Sequence, residues 1–312
     1  MPNKQPYLTG SYAKTLASTI VLDSRYPLDT RNSVKTFLSQ YKNYEYIEMD
    51  LTEIPELGNA TIQNGIGFFQ LASSLGDRPI AGYTYFIGVG QQDASDPQTT
   101  LYPAFVAVQP AIDKVIIHEW GHGIGLGHED NAYRWIKFKR MWRSEQSYFY
   151  GNISGGGFMA YGGKEFNPSD DFAIKKLLNP SFPAATVSGQ IKIGTEFLKG
   201  ANLIFIDLEK RFNSTPKPLP VRHSTIIDML GSGDGSFKIH VPQGKYLVML
   251  VPIGNYSRPT HGEWRLADSQ IKDLTEPLFL TRNLKVFREE ERKGIIELAA
   301  GDNLIINPQV RI

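Results

Sequence analysis

Cysteine is absent from this 312-residue chain, which excludes a disulfide framework and any thiol-based latch on a reactive group. An excess of one charge is lacking too: 33 basic against 32 acidic residues leave a net charge of +1. Such balance gives no global footprint for nucleic acid or for an anionic membrane surface. No apolar run approaches the ~20 residues that a membrane-spanning helix needs. The opening Met1-Pro2-Asn3-Lys4-Gln5-Pro6 lacks the apolar stretch of an export signal. Histidine is scarce, with six in the chain. At this length the chain is long for one core and comfortable for two.

The scarce residue is concentrated. Three of the six histidines fall in His118-Glu119-Trp120-Gly121-His122-Gly123-Ile124-Gly125-Leu126-Gly127-His128. His118 and His122 are four apart, so on a helix they share one face a turn apart and can hold one metal. His128 comes six residues later, too far to share that face on a continuing helix, so the chain must turn. Gly125 stands where a turn requires a residue free of a Cβ clash, which brings His128 back to the metal. Three imidazoles leave the fourth tetrahedral position open for water, the arrangement of a catalytic rather than a closed zinc site. From the chain's own residue frequencies, the five fixed positions coincide by chance with a probability on the order of 0.00001. Four glycines through the segment also argue against selection for helix stability alone, because each costs about 1 kcal/mol relative to alanine in a helix.

Upstream, the pattern predicts strand, helix, strand, strand, strand, helix. Ala17 to Asp23 is a β-branched run fit for a buried strand. Val34, Phe37, Leu38 and Tyr41 mark one face of a helix capped near Asp29 or Thr30. Tyr44 to Asp50, Gly82 to Gly90 and Leu101 to Gln109 are the remaining strands. The histidine-bearing helix starts at Pro110 or Ala111, with Ile112, Val115 and Ile116 packed inward. Pro103 predicts an edge strand for Leu101 to Gln109, because proline cannot donate to a ladder on both sides. Phe105, Val106 and Ala107 are then candidates to bind an extended peptide by strand addition; a protected edge without ligand is the plain alternative.

Asn131 to Tyr150 interleaves aromatic and basic residues, which fits a cleft lining or a helix with one packed and one solvated face. In a near-neutral chain it does not point to nucleic acid. Gly155-Gly156-Gly157 permits a tight turn before Met159, whose thioether can pack beneath the histidines or simply fill a core. Ser169-Asp170-Asp171-Phe172 reads as a helix start with a serine cap, and Asn179-Pro180 as its stop.

These residues resemble the metzincin clan of zinc endopeptidases, whose pattern is His-Glu-x-x-His-x-x-Gly-x-x-His followed by a methionine turn. The resemblance implies that His118, His122 and His128 ligate Zn2+, that Glu119 is the general base and that Met159 forms the hydrophobic floor. Tyr161, two residues after that methionine, is placed as in astacin-like and serralysin-like members, where it can ligate zinc and stabilise the oxyanion. Glu129 is also astacin-like. Astacins carry disulfides and serralysins carry downstream glycine repeats, neither of which occurs here, so the family within the clan stays open. Zinc held by three neutral imidazoles lowers the pKa of water to about 7, and Glu119 would take that proton and pass it to the leaving amine.

After Pro183 the pattern turns to repeated short strands: Val187 to Ile193, Ala201 to Leu208, Ser236 to Val241, Lys245 to Val251, Gly294 to Leu298 and Asn303 to Ile306. Asp234-Gly235 and Pro242-Gln243-Gly244-Lys245 mark turns. The stretches 187–191, 200–204 and 234–250 are similar to carboxypeptidase regulatory-like, transthyretin-like domains, which implies an accessory module. His223, His240 and His261 fall here and are read as core or surface residues rather than ligands.

The expected fold is thus an α+β metzincin-like catalytic domain, a twisted mixed sheet with helices over 1–184, followed by an all-β sandwich over 185–312. The expected function is a zinc-dependent endopeptidase acting on protein or peptide substrates, without nucleic acid and without a membrane span. It is expected to work outside the cytoplasm, secreted, periplasmic or at the cell surface, after loss of a signal. One alternative is a catalytically inactive zinc-containing binding protein that recognises its ligand through the sandwich. Another is a zinc hydrolase in which Glu145 or Glu165 replaces His128 as third ligand.

Overall fold

Backbone pairing in a computed structural model organises the chain into two units, each built around sheets. The structure describes residues 19–49, 65–70, 82–89, 100–108, 113–123, 166, 168–199, 201–212, 218–227, 233–252, 270–271, 278–280, 286–287 and 295–310. The first unit takes the described residues of Tyr7–Gly127 with Leu177–Pro180; the second takes those of His128–Lys176 and Ser181–Ile312. No helix among the described residues is long and apolar enough to cross a membrane.

The first unit contains β1 (Thr19–Asp23), α1 (Leu28–Ser39), β2 (Glu45–Met49), β3 (Gly65–Gln70), β4 (Gly82–Val89), β5 (Thr100–Val108) and α2 (Asp113–Gly123). The strands form one sheet in the order β2-β1-β3-β5-β4. Neighbours are parallel except for β4, which runs antiparallel to β5. Ile20 and Leu22 of β1 are wholly buried, as are Val34 and Leu38 of α1, so the β-branched run and the helical spacing both meet the core. Helix α1 starts after Pro27 without a side-chain cap, and Asp29 instead sits in the first turn, where a carboxylate favours the positive end of the helix dipole. Glu48 ties β2 to α1 by pairing with Lys35 and Arg31.

Two expectations are corrected. A fifth strand, β3, lies where none was expected; Gly65-Ile66-Gly67-Phe68-Phe69-Gln70 lacks the alternation that marks a half-exposed strand. More consequentially, β5 is not an edge. It pairs with β3 on one side and β4 on the other. Pro103 is accommodated because the β4 register shifts there, from Tyr85↔Phe105 to Phe86↔Pro103, which leaves Ala104 as an extra residue. On the other side the β3 ladder begins only at Phe105. Proline therefore marks a bulge rather than an edge.

The second unit begins with α3 (Pro168–Leu178), whose first nine residues group by contact with the strands that follow. Proline is the first helical residue, so Ser169 lies inside the helix rather than capping it. The strands are β6 (Ala185–Gln190), β7 (Lys192–Ile193), β8 (Glu196–Phe197), β9 (Ala201–Phe212), β10 (Leu219–Ile226), β11 (Ser236–Val241), β12 (Gly244–Pro252), β13 (Leu278–Leu280), β14 (Val286–Phe287), β15 (Ile295–Leu298), β16 (Asn303–Ile306) and β17 (Gln309–Val310). One sheet runs β10-β9-β12-β13-β14 with β15 also paired to β12; a second runs β11-β6-β16 and a third β17-β7-β8. Val187, Phe237, Ile239 and Ile306 from the second sheet share one core with Leu203, Phe205, Val248 and Leu250 from the first. In β11, Phe237, Ile239 and Val241 are buried while Lys238 is exposed, the alternation its sequence predicts.

Gly189 is a close-approach position in this core. Its φ is +153°, and a Cβ there would overlap the Ile306 carbonyl across the parallel β6–β16 ladder. Gly189→Ala is expected to destabilise the chain by about 2 kcal/mol or more, read as a lower denaturant midpoint. An unchanged midpoint would contradict the close approach.

Acid sensitivity follows from the same unit. Burial first, then the nearby Lys210 and Arg222 charges, push His223 down to about 3, and burial with Lys176 and Lys238 pushes His240 down to about 4. An unfolded histidine takes its proton near 6.5, so between there and about 3 the unfolded chain binds more protons and stability falls as pH falls. His223→Phe is expected to flatten the loss of stability between pH 6.5 and 4, measured by denaturant unfolding across that range. An equal slope would contradict the buried neutral imidazole.

Candidate metal centre

Helix α2 carries the first half of the histidine motif, His118, Glu119 and His122. Its inward side is fixed by Ile116, Ile117, Trp120 and Gly121, all buried, whereas His118 is only partly covered. At about 100° per residue, the mean direction of positions 118 and 122 lies roughly 150° from that of the buried four. The two histidine positions therefore share the face turned away from the helix's own core contacts, one turn apart. Position 119 lies beside them on the helical wheel. Two imidazole-bearing positions at this spacing suit a metal that prefers nitrogen ligands, so this part of the donor set fits zinc.

Trp120 is what holds the helix in place. Its indole is wholly buried. It meets Phe37 edge-on at 6.2 Å and Tyr41 at 6.2 Å, both presented by α1 and the turn after it. Tyr44, also buried, stands beside it; the Tyr44 hydroxyl and the Trp120 Nε1–H make no hydrogen bond of full geometry. Burial pushes the Tyr44 phenol up to about 12, offset in part by the neighbouring indole N–H. At the start of α2, the Ser33 hydroxyl of α1 donates to Asp113 Oδ2 at 2.5 Å. The helix is thus pinned at its start and middle while also packing on β4 and β5. The motif spelled out Trp120, but its anchoring role was not apparent from the sequence. The only hint was a large aromatic in an otherwise glycine-rich segment.

His128, Met159 and Tyr161 lie outside the described residues, as do Gly125, Glu129, Glu145, Glu165 and His261. Among the described residues no group of three potential ligands is assembled. In the second unit His223 is buried and His240 half-buried, with Nδ1 atoms facing the Ser169 and Thr186 hydroxyls at 3.4 and 3.0 Å.

The strand-addition site expected at Phe105, Val106 and Ala107 does not stand. These three residues are in register with Gly67, Phe68 and Phe69 of β3 and with Tyr85, Thr84 and Tyr83 of β4. Interior pairing on both sides leaves no open ladder for a peptide. Among the described strands, β4 is the edge of this sheet next to which α2 packs. Compared with known proteins, the chain matches no family model and no curated sequence.

Trp120→Ala is expected to cost about 3–5 kcal/mol, the usual loss for a large buried aromatic, and to weaken zinc binding at the same time. Denaturant unfolding and a zinc titration check both. Loss of stability with zinc affinity unchanged would contradict the coupling of anchor and ligands.

Proposed function

We propose that the chain is a zinc-dependent endopeptidase acting on extended polypeptide. The observation that carries this reading is the placement of α2. The helix bearing His118, Glu119 and His122 lies on β4 and β5, with its histidine positions opposite its buried side, beside an antiparallel edge strand. A peptide added to Gly82–Val89 would be held by main-chain hydrogen bonds whatever its side chains, which suits a peptidase. The metal would be held by His118, His122 and His128. When bound, zinc supplies Lewis acidity and brings the pKa of water to about 7.

The remaining steps belong to the chain's own residues. Glu119 accepts the proton of the attacking water and delivers it to the leaving amine nitrogen, so one carboxylate serves as base and then acid. Tyr161 donates its hydroxyl proton in a hydrogen bond to the developing oxyanion, and Met159 floors the site. The C-terminal strands form an accessory module that presents substrate or adds stability, and the protein works outside the cytoplasm. Retention of Glu119 between the two histidines favours catalysis over a zinc-loaded binding role.

Glu119→Ala is expected to keep zinc and lose peptide cleavage by at least about 100-fold. Zinc content by elemental analysis and cleavage of an unfolded protein substrate measure the two separately. Cleavage retained by the zinc-loaded variant would contradict the proposed chemistry.

A further inference from the structure

We propose that the C-terminal unit binds a small aromatic carboxylate in a cavity between the N-terminal turns of α3 and the β9–β10 strands. The cavity measures about 300 Å³, space for one ring with a small substituent. Its walls include Phe172, Phe182, His223 and Pro242, with Lys210 and Ala300 also on the lining. Phe172 and Phe182 cross at 63° with centroids 5.9 Å apart, and Phe172 meets the His223 ring at 74° and 5.3 Å. Rings set edge to face in this way leave faces and edges suited to a further aromatic ring.

Charge selects the rest of the ligand. Two charged side chains line the cavity besides the imidazole, Asp171 and Lys210. Asp171 is paired with Lys175 at 2.7 Å, whereas among the described residues the Lys210 ammonium donates only to the Gln243 carbonyl, at 3.4 Å. Burial first, and then the charges of Lys210 and Arg222, depress the protonation of His223; the two cations add a positive potential that favours an anion over a cation. His223 is 5 % exposed and lines the cavity. An apolar ring with one carboxylate meets all of these features; a neutral or cationic ring does not.

The test titrates the full chain with benzoate, benzamide and cyclohexanecarboxylate, read by calorimetry and by the imidazole resonances of His223. Benzoate is expected to bind in the millimolar range and to move those resonances, with the other two at least about fivefold weaker, the scale of one partly exposed ion pair or one aromatic contact. Two exposed positions probe the site without opening the core. Lys210→Gln should erase the preference for benzoate over benzamide, and Ala300→Trp should abolish benzoate binding by filling the cavity. Failure of benzoate to bind the parent chain, equal affinity for benzamide, or benzoate binding unaltered by Ala300→Trp would each overturn the proposal. None of these readouts depends on zinc or on peptide cleavage.

Discussion

The buried contact of Trp120 with Phe37, Tyr41 and Tyr44 is the constraint on which the candidate metal centre depends. A metal site needs its ligands held to a fraction of an ångström, and glycines at 121 and 123 make the motif helix a poor source of that rigidity by itself. The indole supplies it by locking one face of α2 against the first helical layer, which leaves positions 118 and 122 on the opposite face. Ser33 and Asp113 add a second fixed point at the start of the helix. Function in this reading rests on an aromatic cluster that contains none of the proposed ligands.

Backbone pairing sets the second constraint. A peptide can join a sheet only where main-chain donors and acceptors are open, so the identity of the edge strand decides where an extended substrate can lie. Strand β5 is paired on both sides, and among the described strands β4 is the edge on that side of the sheet. Because α2 packs on both β4 and β5, the helix that carries the proposed ligands adjoins the proposed substrate edge.

Local patterns were the legible part of the sequence. The 3.6-residue spacing of Val34 and Leu38, the β-branched run of β1 and the alternation in β11 each report one element's own burial, and each element is present. The metal-binding spacing was legible for the same reason, since His118 and His122 need only a helix between them. What stayed hidden depends on partners distant along the chain. Pro103 read as an edge because a bulge opposite Phe86 cannot be seen from one strand. Strand β3 was missed because it alternates no polar residues, and β10 because Pro220 and a register shift interrupt it. Trp120 showed no role until Phe37, Tyr41 and Tyr44 were brought to it. Ser169 read as a cap because Pro168, the true first residue of α3, carries the start signal one position earlier.

The central claim is that the histidine segment holds a single zinc ion through three imidazoles. Elemental analysis combined with zinc X-ray absorption on the purified chain tests it most directly. The account predicts one zinc per chain, with three imidazole nitrogens at about 2.0–2.1 Å and one oxygen ligand. A chain that takes up no zinc, or a zinc shell with fewer than three imidazoles, would contradict it.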